Sequence, residues 1–135
     1  MKRRRTLLLL SLLSTWLSAC NYKFPNAPTV VTGRVVDELG IPAEGIALTL
    51  SGIKKKGVSP IPTFDERTKT DSDGRYTLSH VVTSGTDFVE FVPATGTKYI
   101  PYIERDGQYE ILGSFVIRSN DYGTSKTVNL QIRKP

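Results

Sequence analysis

The sequence contains few of the residues that build cross-linked or metal-binding sites. Its 135 residues include one cysteine, one histidine, one methionine and one tryptophan. A disulfide needs two cysteines, and a transition-metal site is built from several cysteine or histidine ligands. We therefore expect no metal and no cofactor, and a fold stabilised by packing and backbone hydrogen bonds alone.

A long hydrophobic run is also missing. The longest apolar stretch, residues 6–17, follows the basic head Lys2–Arg5 and holds only 12 residues, diluted by small polar ones. A transmembrane helix needs about 20 apolar residues, so this stretch is too short to span a membrane. A basic head, a short apolar middle and small residues at the end are typical of a secretory signal, here residues 1–19.

Residues 17–20, Leu-Ser-Ala-Cys, resemble the cleavage site of a bacterial lipoprotein signal. The resemblance implies cleavage between Ala19 and Cys20 and the attachment of lipid, including palmitate, to Cys20. An ordinary signal with an incidental cysteine is the alternative, but Cys20 is the only cysteine and stands where lipidation requires it. One acyl chain holds a protein to a membrane only marginally, whereas two or more hold it firmly.

An excess of positive charge is absent from the rest of the chain. Removing residues 1–19 leaves 116 residues, a common size for one domain. Four of the 18 basic residues leave with the signal, so 14 basic side chains face 13 acidic ones, a net charge of about +1. We therefore predict no binding to nucleic acid.

A proline-containing segment follows the cysteine. Residues 20–28 are predicted to be the lipidated Cys20 and an extended tether, Asn-Tyr-Lys-Phe-Pro-Asn-Ala-Pro, without periodicity. Eight extended residues reach about 25–30 Å, which keeps the domain over residues 29–135 near the membrane. In the common sorting scheme of such lipoproteins, Asn21 rather than aspartate favours the outer membrane, with the domain facing the periplasm.

From residue 29 onward, apolar and polar residues alternate as they do in half-buried strands. The clearest alternating stretches are residues 31–35, 46–50, 76–78, 89–91 and 128–132. Asp106-Gly107 between apolar runs predicts a hairpin, and residues 64–70 an edge strand with protective charges. No stretch after Cys20 has a helical period, so we predict an all-β fold, a seven-stranded Ig-like β-sandwich.

Three blocks in the first half resemble the carboxypeptidase regulatory-like domain. They are Thr32–Asp37 (Thr-Gly-Arg-Val-Val-Asp), Gly40–Ile46 (Gly-Ile-Pro-Ala-Glu-Gly-Ile) and Thr70–Leu78 (Thr-Asp-Ser-Asp-Gly-Arg-Tyr-Thr-Leu). The family pattern is Gly-x-Val-x-Asp, a Gly-x-Pro turn with small residues, and Thr-Asp-x-x-Gly-x-Tyr/Phe-x-Leu. The resemblance implies a seven-stranded sandwich of the prealbumin (transthyretin-like) type and a non-catalytic accessory role.

Three consecutive lysines are a candidate contact with a lipid surface or a partner. Lys54, Lys55 and Lys56 lie in a predicted loop over residues 52–62. Near an anionic membrane, each lysine adds about 1 kcal/mol to binding. The alternative is a solvated charge run without a partner.

Four tyrosines form a second candidate surface. Tyr99, Tyr102, Tyr109 and Tyr122 lie within 24 residues of one another in the second half of the chain. Together they can present aromatic rings to a sugar or a protein. The alternative is that alternate tyrosines pack in the core.

Two features resemble reactive sites but lack essential parts. His80 adjoins Ser79, yet neighbours on a strand point to opposite faces, so they do not form a nucleophile–base pair. Asp71 and Asp73 resemble the start of a calcium loop, but its twelfth position is Val82 rather than glutamate. We expect these aspartates to accept hydrogen bonds from turn amides instead. A transthyretin-like hydrolase carries several histidines and a C-terminal Tyr-Arg-Gly-Ser that this chain lacks, so we predict no enzyme activity.

These observations favour a lipid-anchored envelope protein whose sandwich is a non-catalytic binding or structural module, with an envelope protein as partner. One alternative is a carbohydrate- or peptidoglycan-binding lipoprotein that uses the tyrosines. Another is an assembly lipoprotein of a secretion system with a transthyretin-like fold. Retention on defined glycans separates the first alternative from the main hypothesis, and genomic neighbours separate the second.

Overall fold

The structure, a computed structural model, describes residues 24–135. The predicted signal, the cleavage site after Ala19 and the lipidation site Cys20 lie outside the described residues. In the described part, no helix is long and apolar enough to cross a membrane. Residues 24–135 form ten strands, in the order β1 Thr29–Val36, β2 Ala47–Lys56, β3 Ser59–Lys69, β4 Arg75–His80, β5 Phe88–Pro93, β6 Ile100–Arg105, β7 Gln108–Ile111, β8 Phe115–Ile117, β9 Ser125–Thr127 and β10 Leu130–Arg133.

The strands form two sheets that pack as a sandwich. One sheet has the order β4-β1-β10-β6-β7, with β9 also paired to β1, and the other has the order β3-β2-β5-β8. The predicted all-β sandwich is confirmed, but the predicted count of seven strands is wrong. Part of the difference arises because β9 and β10 both run parallel to β1, like one strand interrupted at Val128 and Asn129.

The core lies between the sheets and is made by the apolar members of the alternating stretches. Leu48, Leu50 and Phe91 come from one sheet and Val35 from the other, and each is at most 1% exposed. The ring of Tyr76, on the six-stranded sheet, stacks on Phe91 of the four-stranded sheet with the centroids 5.7 Å apart. This contact joins the two sheets because apolar side chains alternate inward on both.

A glycine and a tyrosine position the interruption between β9 and β10 close to β1. A Cβ atom at Gly33 would lie 1.9 Å from the carbonyl oxygen of Val128, so β1 approaches this segment more closely than any side chain allows. The Tyr76 hydroxyl donates a hydrogen bond of 2.6 Å to the same oxygen. The amide of Arg34 donates to the side-chain oxygen of Asn129, which replaces a missing backbone acceptor.

Replacing Tyr76 with phenylalanine is expected to lower the free energy of unfolding by about 1–3 kcal/mol, because the Val128 carbonyl loses a buried donor. Burial raises the pKa of the Tyr76 hydroxyl above its usual value near 10. The stability linked to this pKa shift is therefore full below about pH 10 and is lost at higher pH. Urea unfolding followed by circular dichroism measures both effects.

The matched control is Tyr109→Phe, at a half-buried position on β7. We expect it to change the free energy of unfolding by less than about 0.5 kcal/mol. Equal losses in the two variants would contradict a special role for the Tyr76 hydroxyl.

The predicted loop over residues 52–62 is wrong, because this segment is a β-hairpin. β2 continues to Lys56, which pairs with Ser59 at the start of β3. Gly57 has a φ angle of +62°, whereas Val58 is not left-handed, as in a type II′ turn. The sequence reasoning missed the hairpin because its strands carry lysines and prolines instead of an alternating apolar pattern. β3 is an edge strand, as predicted for residues 64–70.

Candidate functional site

The sandwich has two ends that carry different chemistry. The first, which we call the tether end, holds the start of β1 and the described residues nearest to Cys20. The second, the distal end, holds the connection between β1 and β2, residues 37–46, and the residues after β10. Since β1 runs from the tether end to the distal end, the parallel strands β9 and β10 run the same way and β4 runs back. In the other sheet, β2 begins at the distal end after residues 37–46 and runs to the tether end, and its antiparallel neighbours β3 and β5 run the opposite way.

At the tether end, the chain packs against the sandwich from Phe24 onward. The ring of Phe24 lies 5.9 Å from the ring of Tyr122, centroid to centroid. Pro25 lies against Gly123, whose amide donates a 2.8 Å hydrogen bond to the Thr29 hydroxyl. The part of the predicted tether from Phe24 onward therefore lies on the domain, and only residues 20–23 separate the start of the predicted mature chain from it.

The four tyrosines are not brought together. Tyr122 is only 4% exposed and its hydroxyl has no hydrogen-bond partner among the described residues, so it is part of the interior at the tether end. Burial raises its pKa, and nearby Asp87 raises it further. Tyr99 lines a groove at the distal end. The predicted four-tyrosine surface is therefore wrong, and two tyrosines remain to form a patch.

Tyr102 and Tyr109 share the outer face of the six-stranded sheet. Tyr102 pairs with Ile111 and Tyr109 with Glu104, and paired residues of antiparallel strands lie on one face. The guanidinium of Arg133 covers the ring of Tyr102 at 3.9 Å from its centroid. This cation occupies a ring face on which a sugar would otherwise stack, so the patch suits a glycan poorly.

The lysines lie on the β2–β3 hairpin, which projects beyond the tether end. Residues 54–62 are all exposed. The last residue of β2 that pairs with β5 is Ile53, so the tip from Lys54 to Ile61 pairs only with itself. At the base, the Lys55 amide donates a 2.7 Å hydrogen bond to the Asp87 carboxylate. This bond ties the base of the hairpin to the residue that precedes β5.

The distal end holds an open groove of about 440 Å³ with an acidic lining. It is bordered by Asp37, Glu38 and Glu44, with Lys134 as its basic side chain and Leu39 and Tyr99 among its apolar ones. Leu39 is 83% exposed. Because carboxylates outnumber the lysine here, the groove suits a partner segment with basic and apolar side chains.

Part of this acidic lining has a structural role. The Asp37 carboxylate accepts hydrogen bonds of 2.8 and 2.9 Å from the amides of Leu39 and Ile41, which fixes the turn after β1. Glu38 accepts a 2.7 Å hydrogen bond from the amide of Lys134. Glu44 is the exposed carboxylate that remains for a partner to contact.

His80 has a carboxylate partner that the sequence reasoning did not identify. Its Nδ1 atom lies 2.8 Å from a carboxylate oxygen of Glu66, and its ring stacks on Phe64 with centroids 3.9 Å apart. Ser79 points to the opposite face of β4, so the neighbouring hydroxyl does not reach this ring. The contacts assign His80 a role in joining β4 to β3.

Asp71 behaves as a turn residue, as predicted. Its carboxylate accepts hydrogen bonds of 2.9 and 2.8 Å from the amides of Asp73 and Arg75. These bonds satisfy the amides of the tight turn that precedes β4. Within residues 24–135, no group of three or more histidine, cysteine, aspartate or glutamate side chains is placed to hold a metal ion.

No protein-family model and no curated protein matches the chain. Solved structures with similar folds include the plantain pollen allergen Pla l 1, with 21% identity, a TM-score of 0.48 and coverage of 80% of this chain and 94% of that one. The major pilin subunit BcpA of Bacillus cereus has 12% identity, a TM-score of 0.46 and coverage of 81% and 31%. The 3-chlorocatechol 1,2-dioxygenase of Rhodococcus opacus 1CP has 11% identity, a TM-score of 0.47 and coverage of 83% and 61%.

This chain thus spans less than two thirds of the dioxygenase and of the pilin. The identities and TM-scores are too low to transfer an activity or a partner from any of these proteins.

Proposed function

We propose that this protein is a lipid-anchored envelope protein whose β-sandwich is a non-catalytic binding or structural module facing the periplasm. The observation that carries the proposal is the position of the only cysteine. Cys20 follows a signal-like segment and stands four residues before Phe24, which packs at one end of the sandwich. An acyl anchor there would hold the tether end at the membrane and direct the distal end away from it.

We also propose that the sandwich is of the carboxypeptidase regulatory-like, prealbumin type. In support, the three sequence blocks that resemble this family contact one another. The Thr70 hydroxyl donates to the carbonyl of Ala43 at 2.5 Å and accepts from the amide of Ile46 at 2.9 Å, which joins the third block to the second. Gly74 accepts a 2.8 Å hydrogen bond from the amide of Val35, which joins the third block to the first.

The proposed binding site is the distal groove, and the proposed occupant is a segment of an envelope protein with basic and apolar side chains. The groove is at the end of the sandwich farthest from the proposed anchor, where a partner can approach without meeting the membrane. Its exposed Leu39 and Glu44 offer one apolar and one acidic contact. Rim charges of this kind mainly set specificity and association rate.

A photo-reactive residue placed at position 39 in living cells is expected to give one discrete cross-linked product. The matched control is position 92, where an exposed valine lies on the four-stranded sheet away from the groove. Adding Glu44→Lys is expected to lower the cross-linking yield at position 39 at least about fivefold, because it places like charges together. Equal yields at positions 39 and 92 would contradict the groove as the binding site.

A second candidate, glycan binding, has one supporting observation, the shared outer face of Tyr102 and Tyr109. Arg133 on the Tyr102 ring weakens it. Retention of the protein by peptidoglycan fragments that is lost in Tyr109→Ala would favour this candidate. The described residues offer no particular support for the secretion-system alternative.

A further inference from the structure

The tip of the β2–β3 hairpin has the composition of a segment that binds an anionic surface. It presents three lysines and no acidic residue between Ile53 and Phe64. Val58, in the turn, is fully exposed, and Ile61 beside Lys54 is also exposed. Basic side chains around an exposed apolar tip match the boundary between lipid headgroups and acyl chains.

The hairpin and the N-terminal segment leave the sandwich at the same end. Thr29 at the start of β1 pairs with His80 at the end of β4, and His80 contacts Glu66 in the middle of β3. At the hairpin base, Asp87 bonds to the amide of Lys55 and lies close enough to Tyr122 to raise its pKa. Tyr122 is also the residue against which Phe24 packs.

The two projections also match in length. Lys56 lies three residues beyond Ile53, the last β2 residue that pairs with β5, so the hairpin extends by about 10 Å at about 3.3 Å per residue. Four residues from Phe24 back to Cys20 reach about 14 Å at most. A lipid on Cys20 would therefore place the membrane surface within reach of the hairpin tip.

We propose that the tip of this hairpin, residues 54–61, docks on the anionic phospholipid surface in which Cys20 is anchored. The inference rests on the proposed lipid anchor and adds a second, charge-dependent contact. Such a contact can be weak and still persist, since the anchor keeps the hairpin at a high local concentration near the surface. The three lysines together would change the equilibrium constant for docking by up to about 100-fold.

An added β-strand from a protein is a less suitable occupant of this segment. β3 is an edge strand, but Pro60 and Pro62 have no amide hydrogen to donate to a new neighbour. Prolines and lysines at an edge are the usual means by which proteins prevent strand addition. The same residues leave contact with a lipid surface unaffected.

The test uses the acylated full chain with a single spin label in vesicles. The acylated Cys20 leaves no free thiol, so Val58→Cys provides a unique attachment site at the hairpin tip, and Leu39→Cys provides one at the distal end. In vesicles containing phosphatidylglycerol, we expect the label at position 58 to be several-fold less accessible to a water-soluble nickel chelate than the label at position 39. Pure phosphatidylcholine, or Lys54→Gln, Lys55→Gln and Lys56→Gln combined, should abolish the difference.

Three other results would overturn the inference in distinguishable ways. If the protein stays on phosphatidylglycerol vesicles but both labels are equally accessible, the anchor stands and the docked hairpin is refuted. If the full chain carries no lipid and does not remain with the vesicles, the anchor itself is refuted and the inference fails with it. Protection that persists in the three-lysine variant would refute the charge-dependent contact.

Discussion

Gly33→Ala is expected to lower the free energy of unfolding by about 3 kcal/mol or more. The new Cβ would lie 1.9 Å from the backbone oxygen of Val128 and 3.1 Å from the Tyr76 hydroxyl. Overpacking against side chains costs about 1–3 kcal/mol, and here the obstacle is backbone that two hydrogen bonds already fix. A domain of this size has a total stability of about 5–15 kcal/mol, so much of it would be lost.

The control is Gly113→Ala, since a Cβ there meets no atom within 4 Å and its φ is not left-handed. We expect Gly113→Ala to be neutral or to stabilise by up to about 1 kcal/mol, because alanine restricts the unfolded chain. Urea unfolding of the chain from residue 20, with Cys20→Ser in every variant, compares the two. Similar stabilities for Gly33→Ala and Gly113→Ala would contradict the close approach of β1 to the β9–β10 segment.

Cys20→Ser is expected to abolish the incorporation of labelled palmitate into the protein. A serine hydroxyl does not replace the thiolate as the lipidated nucleophile, and the sequence holds no second cysteine to substitute for it. The signal of residues 1–19 should remain uncleaved in the variant if cleavage follows lipidation. Growth of expressing cells with labelled palmitate, followed by electrophoresis of the purified protein, measures the loss.

The paired control is Ser18→Ala, which keeps a small residue two positions before the proposed cut. It should incorporate the label as the wild-type protein does. Label that persists in Cys20→Ser would place the acyl group elsewhere and would refute the anchor at residue 20.

Local patterns predicted much of the sandwich. The buried faces of β2 and β5 follow the alternation around Leu50 and Phe91. The β6–β7 hairpin follows from Asp106-Gly107, where both residues have positive φ angles, as in a type I′ turn. These features were predictable because a strand of period two and a two-residue turn depend on neighbours in sequence.

Non-local pairing was not predictable in the same way. The parallel pairing of β1 with β9 and β10 joins residues about 95 positions apart, for which the alternation carries no signal. The division of the last strand at Val128 depends on Gly33 and Tyr76, which lie far away in sequence. The predicted strand count was therefore too low, although the predicted inward residues were largely right.

The candidate sites, too, were predictable only where they depend on residues close together in sequence. The lysines were identifiable as a charge run, but their position at the same end of the sandwich as the N-terminal segment follows only from the strand pairings in both sheets. The tyrosines were grouped by sequence proximity, and the structure separates them because Tyr122 packs inward at the tether end while Tyr102 lies on an outer face. The distal groove joins the turn after β1 to Lys134, a proximity that no local pattern indicates.

The proposed role depends most directly on lipid at residue 20, and the intact mass of the protein extracted from the bacterial envelope tests it. We predict a chain that begins at Cys20 and carries the added mass of a diacylglyceryl group and a further acyl chain. A mass equal to that of an unmodified polypeptide, whatever its first residue, would contradict the account.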